Sequence, residues 1–169
     1  AGPLGIFDLG RAIVGALPVA VRELAAAIAV AAVVFPLYGA GYYWWAEPSS
    51  SFSLALPPAL ASLTLAQLVV VALPEEAFFR GYLQTVFADA ESRRVRVLGV
   101  SLAPAACLLQ AALFALVHFI VDPNPARLAV FFPALLFGWV RAWRGGIGAS
   151  VALHAMSNLY SEILARSWL

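Results

Sequence analysis

The chain has 169 residues, of which 63% are hydrophobic and only 11% charged, with a formal net charge of +1 and a mean hydropathy of +0.91. Soluble domains carry about 25% charged residues, so this composition excludes an ordinary water-soluble globule and indicates an integral membrane protein. The lone Cys107 excludes a disulfide framework or thiolate metal cluster, and no basic tract interleaved with aromatics suggests a nucleic-acid partner.

Residues 3–21 read as an amphipathic segment lying at the interface or beside a bundle. The stretch "FDLGRAIVGALPVAV" carries an acid and an arginine, so it does not read as a cleavable signal peptide. A helix needs roughly 20 apolar residues to cross a bilayer. Five stretches meet this: 24–45, an overlong 57–88, 99–121, 127–143 and 147–165. They lack the two-residue alternation of a barrel, and open strands cannot span lipid. The expected fold is all-α: a polytopic transmembrane helical bundle of about five spans plus the amphipathic segment, forming one membrane domain over 1–169.

Arginine placement orients the bundle. Arg11, Arg22, Arg93, Arg94, Arg96, Arg141 and Arg144 fall on one side, and only Arg127 and Arg166 on the other. By the positive-inside rule the N-terminus is expected in the cytoplasm and the C-terminus outside. "YGAGYYWWAEP" then forms an aromatic belt at the outer interface. The absence of lysine and the abundance of alanine suggest a bacterial source, and hence the inner membrane.

Few strongly polar residues remain inside the spans. They are Glu75, Glu76 and Arg80 in "LVVVALPEEAFFRGYLQ", His118 in the third span, and His154 with Asn158 in the fifth. Gln67, Gln84 and Gln110 are milder and suit bonds between helices. Ionisable groups inside a membrane are costly and mark function by default. Glu76 and Arg80 share a helix face in the favoured order for an ion pair, whereas Glu75 is turned about 100° away. One glutamate is thus available for structure and the other for chemistry, with Pro74 permitting a kink beside them. Phe114 and His118, and His154 and Asn158, have the same four-residue spacing.

A carboxylate and an imidazole meeting in a dry cavity can activate water, while a second imidazole and an amide can stabilise an oxyanion. That set supports peptide hydrolysis without a covalent nucleophile; no G-x-S-x-G elbow is present. Glu75, His118 and His154 would also make a two-histidine, one-carboxylate zinc set, although H-E-x-x-H is absent, so a metal is not required. The rival reading is a transporter or proton-relay protein, since buried Glu, His and Arg also line ion paths. No inverted repeat supports it.

"EEAFFR" from Glu75, "FALVH" from Phe114 and "HAMSN" from His154 resemble, in order, the E-E-x-x-x-R, F-x-x-x-H and H-x-x-x-N/D motifs of the CPBP group. This group comprises CAAX proteases and bacteriocin-processing or self-immunity enzymes, also called Abi or type II CAAX endopeptidase-like. The resemblance covers about residues 55–165. It implies a glutamic-type intramembrane endopeptidase needing no cofactor, acting on a membrane-anchored protein or peptide. Glu75 and His118 would polarise the water, His154 and Asn158 would hold the oxyanion, and Glu76, Arg80 and Phe114 would support the site. The "EEAFFRGYLQ" form is similar to the myxosortase-like branch proposed to process C-terminal sorting tails. Better-characterised members have more helices, so a short form or a truncated chain is expected. His118 falls roughly 10 Å shallower than Glu75 on a simple span count, so residues 121–126 are expected to tuck inward and let the two meet.

Overall fold

The computed structural model describes the backbone of residues 6–168, and side chains from residue 15 to 168. Five long helices run in order: α1 (Ile6–Ala46), α2 (Leu60–Ala90), α3 (Pro104–Val121), α4 (Phe131–Arg144) and α5 (Gly148–Ser167). A short antiparallel hairpin, β1 (Val95–Val97) and β2 (Val100–Leu102), links α2 to α3. A 3₁₀ turn, Pro125–Val130, leads into α4.

Four segments are long and apolar enough to cross a membrane: Gly15–Ala46, Leu60–Ala90, Pro104–Val121 and Pro125–Arg144. The fifth expected span is present as α5. Its inward positions include His154, Ser157, Asn158 and Ser161, which lower its hydropathy without shortening it. Large apolar side chains stand exposed along the helices, among them Val33, Leu37, Val70 and Ile120. Exposed apolar surface on this scale suits lipid rather than water.

Two expected boundaries differ. From residue 6 the supposed amphipathic segment continues unbroken into α1, while residues 3–5 lie outside the described residues. Pro18 and Pro36 are both accommodated within that helix. The third span begins at Pro104 rather than 99, because Leu98 and Gly99, with φ of 50° and 81°, form the two-residue turn of the hairpin. Positive φ at both central positions gives the turn whose twist matches paired strands. Glu91 then accepts hydrogen bonds from the backbone N–H groups of Ala105 and Ala106 (3.2 and 3.1 Å), satisfying two orphan donors at the start of α3.

Residues 121–126 are also not tucked inward; all but the half-buried Asp122 are exposed. Their polar groups are satisfied locally. Asp122 pairs with Arg127 at 2.7 Å, and the Asn124 side chain accepts from Ala126 N–H at 3.0 Å. Nothing is left that burial would satisfy.

The core is built from small residues where helices cross. Ala26, Ala27 and Ala31 of α1 meet Phe137 and Val140 of α4 and Ala149 and Leu153 of α5. Alanines at these crossings let backbones approach closely, which is how helices associate in lipid. Phe79 of α2, Ala111 and Phe114 of α3, and Ala134 of α4 form a second cluster; Ala72 packs against Val151 and Ala155 in a third. Glu23 and Arg144 add a two-point ion pair tying α1 to the end of α4, at 2.7 and 3.1 Å. At Gly138 an added Cβ would lie 2.7 Å from Gln110 Nε2 and 3.2 Å from Gln84 Oε1, so any side chain there would displace the buried Gln110 amide from its bonds.

Candidate active site

The middle of α2 is not a uniform α-helix. Wide π-type turns at Gln67–Ala72 and Ala77–Leu83 flank a single α-helical turn, Leu73–Glu76, that opens with Pro74 near its start. Proline has no N–H to give and its ring crowds the carbonyl four residues earlier, so the preceding turn is wide where the regular ladder would be interrupted. Such turns recur at functional sites. Here they set the directions of Glu75 and Glu76.

Glu76 points into the bundle and is fully buried. Its Oε1 accepts from Arg80 Nη1 at 2.8 Å and from His154 Nδ1 at 2.9 Å. Arg80, equally buried, also donates through Nη2 to the Ala134 carbonyl at 3.2 Å. Its guanidinium sits 4.5 Å from the Phe114 ring centre and 5.2 Å from that of Phe137. The His154 ring stacks on Phe137 at 5.0 Å and meets Phe114 edge-on at 5.9 Å. The cation and the imidazole are thus held between the same two aromatic rings and one carboxylate. This is a positioned core, with a hydrogen bond fixing which His154 nitrogen faces Glu76.

The other nitrogen, His154 Nε2, faces Glu75 Oε2 across 3.7 Å. That is too long for a direct hydrogen bond. Glu75 is 31% exposed as a side chain, yet its Oε2 is buried and accepts no hydrogen bond. A buried carboxylate oxygen without a donor invites a water or a substrate group.

His118 stands beyond Phe114. Its ring lies 4.3 Å from the Phe114 ring, and its Nδ1 bonds the Phe114 carbonyl at 2.9 Å. A carbonyl only accepts, so Nδ1 carries the proton and Nε2 of the neutral ring is left as an acceptor. Phe114 packs against both histidine rings, and among the described residues no carboxylate oxygen lies within 4 Å of His118. Asn158 gives one N–H to Gln67 Oε1 at 2.8 Å. The structure thus gathers Glu75, Glu76, Arg80, Phe114 and His154 tightly, sets His118 at the rim, and pairs Asn158 with Gln67. Phe137 was not legible as a site residue, because one phenylalanine among eleven carries no pattern. Gln67 was read only as a residue suited to bonds between helices.

Among the described residues no three His, Cys, Asp or Glu side chains converge closely enough to hold a metal ion. Glu75, His118 and His154 as arranged therefore do not fit a zinc ion.

The family model of type II CAAX prenyl endopeptidase Rce1-like proteins matches residues 57–160. The chain belongs to the Rce1-like family. The match runs from the entry to α2 through most of α5 and includes all seven site residues named from the sequence, while α1 lies outside it. Comparison with curated proteins and with solved structures gave no match. Membership of the Rce1-like family makes the chain a protease of the CAAX type, and its apolar helices make it an integral membrane protein whose substrate is membrane-associated.

Proposed function

We propose that this Rce1-like protein is a glutamic-type intramembrane endopeptidase in which Glu75 activates the attacking water. The observation that carries this reading is the donorless Glu75 Oε2, buried and 3.7 Å from His154 Nε2. Both atoms lie within reach of a single water placed beside the gap. In that position the water gives a proton to Glu75 as its oxygen attacks the scissile carbonyl. His118, with Nδ1–H held by the Phe114 carbonyl, stands outside this pair and offers Nε2 to the incoming substrate.

The developing oxyanion needs donors. With Nδ1–H on Glu76, the imidazolium form of His154 presents Nε2–H to the cavity. Asn158 lies one turn further along α5 and retains a second N–H beyond the one given to Gln67. Glu76 and Arg80 are positioning residues: they fix the His154 ring without touching substrate. The substrate is a membrane-anchored protein or peptide, and C-terminal sorting or anchor tails are the favoured class. The enzyme resides in a bacterial inner membrane with the N-terminus of α1 in the cytoplasm and the end of α5 outside, as the arginine bias supports.

The test is co-expression with a tail-anchored reporter, comparing wild type with Glu75→Gln and Glu75→Ala. Both variants are expected to accumulate in the membrane and leave the reporter uncut. Cleavage at the wild-type rate by either would end the water-activation reading.

A further inference from the structure

A second polar cavity lies at the arginine-rich end of the bundle, beginning one helical turn beyond Arg80 along α2. It encloses about 260 Å³ between the end of α2, the hairpin and the end of α4, and is lined by Thr85, Asp89, Arg94, Ser101 and Arg141 among others. Arg141 is held in it by one bond, Nη2 to Thr85 Oγ1 at 3.2 Å; Thr85 in turn donates to the Gly81 carbonyl. The Arg141 Nε–H is buried and has no acceptor among the described residues. A buried guanidinium N–H without a partner points to an anion that would accept from it. Arg94 faces the cavity from the loop, braced by the carbonyls of Ala88, Glu91 and Arg93. Asp89 lines the same space and makes no ion pair among the described residues.

The surroundings place this cavity at the level of lipid headgroups. The hairpin tip exposes Val97 and Leu98, and Leu98 is 87% exposed. Trp139 anchors that tip by donating to the Val97 carbonyl at 3.0 Å and stacks on Trp143 at 5.5 Å. An apolar tip beside a tryptophan pair is the usual composition of a membrane interface. The arginines of this side would meet the phosphates there.

We propose that this cavity binds a phosphate ester, and that its occupant is the phosphodiester of an amine-bearing lipid headgroup. Arg141 and Arg94 take the phosphate oxygens and Asp89 takes the ammonium. Two guanidinium groups and one carboxylate match a phosphodiester bearing a short amino alcohol better than they match a free phosphate, which Asp89 would repel.

The full chain, purified in an uncharged detergent, is titrated with dihexanoyl phosphatidylethanolamine, dihexanoyl phosphatidylglycerol or inorganic phosphate while Tm is followed. Phosphatidylethanolamine is expected to raise Tm saturably. Arg141→Gln should weaken half-saturation about tenfold or more, the loss expected for a charge-assisted bond. Asp89→Asn should abolish the preference for the ethanolamine over the glycerol headgroup. Should Arg141→Gln fail to fold, Arg94→Gln, on an exposed loop, carries the same comparison. Absence of a saturable rise, or half-saturation unchanged in the arginine variants, would overturn the site. Inorganic phosphate acting at the same concentration as the lipid would overturn the headgroup assignment, and equal response to both lipids would overturn the role of Asp89.

Discussion

Glu75 and Glu76 are neighbours in sequence, and their substitution should have opposite consequences. Glu76→Gln removes the only carboxylate bonded to Arg80 among the described residues, at 2.8 Å, with both side chains fully buried. Removing one partner of a buried pair costs about 3–5 kcal/mol, because the surviving charge stays buried. Arg80 keeps the Ala134 carbonyl and the faces of Phe114 and Phe137. Each cation–π contact is worth about 0.5–2 kcal/mol, but both exist in the wild type as well and cancel in the comparison, so the expected loss stays at about 3–5 kcal/mol. Glu75→Gln alters a side chain that is 31% exposed and whose Oε2 makes no hydrogen bond, so stability should move by less than about 1 kcal/mol. The assay pairs thermal unfolding in detergent with cleavage of a tail-anchored reporter. Glu76→Gln should unfold well below wild type, and adding Arg80→Met should recover much of the loss, since apolar replacement of a whole buried pair is often neutral. Glu75→Gln should melt like wild type and cut nothing. A Glu76→Gln protein as stable as wild type, or a Glu75→Gln protein destabilised equally, would refute the division of labour.

Phe137→Leu should lower cleavage several-fold with little change in amount, because stacking that aligns the His154 ring is worth about 0.5–1.5 kcal/mol; a rate equal to wild type would show that the ring is held without it. Gly138→Ala forces a methyl to within 2.7 Å of the buried Gln110 amide, so a loss of about 1–3 kcal/mol is expected in the same melting assay. Incubation with a chelator should leave reporter cleavage intact, because the site donors do not converge on one ion; loss of activity restored by zinc would overturn that expectation.

Much of the site was legible because helical periodicity is local. Glu76 and Arg80 sit four apart, and their ion pair forms as that spacing requires. The 100° between Glu75 and Glu76 likewise implied different surroundings, and one is buried while the other is part-exposed. The partner of His154 was not legible. It bonds Glu76 rather than lying apart as an oxyanion donor alone, and that follows from how α5 is rotated against α2. The inward tuck expected of residues 121–126 does not occur. The loop after α3 satisfies itself at the surface through Asp122–Arg127 and the Asn124 side chain.

Composition, hydropathy and four-residue spacing by themselves determined a membrane bundle of long apolar helices and which polar residues could not be there for solubility. These depend on solvent and on helix geometry, which every residue reports locally. Tertiary structure alone decided the aromatic walls of Phe114 and Phe137 and the 3.7 Å gap between Glu75 and His154. Those depend on the rotation and depth of helices relative to one another. That is set by how alanines, glycines and rings fit across α2, α3, α4 and α5, residues whose own identities carry no direction until the partner helix is in place.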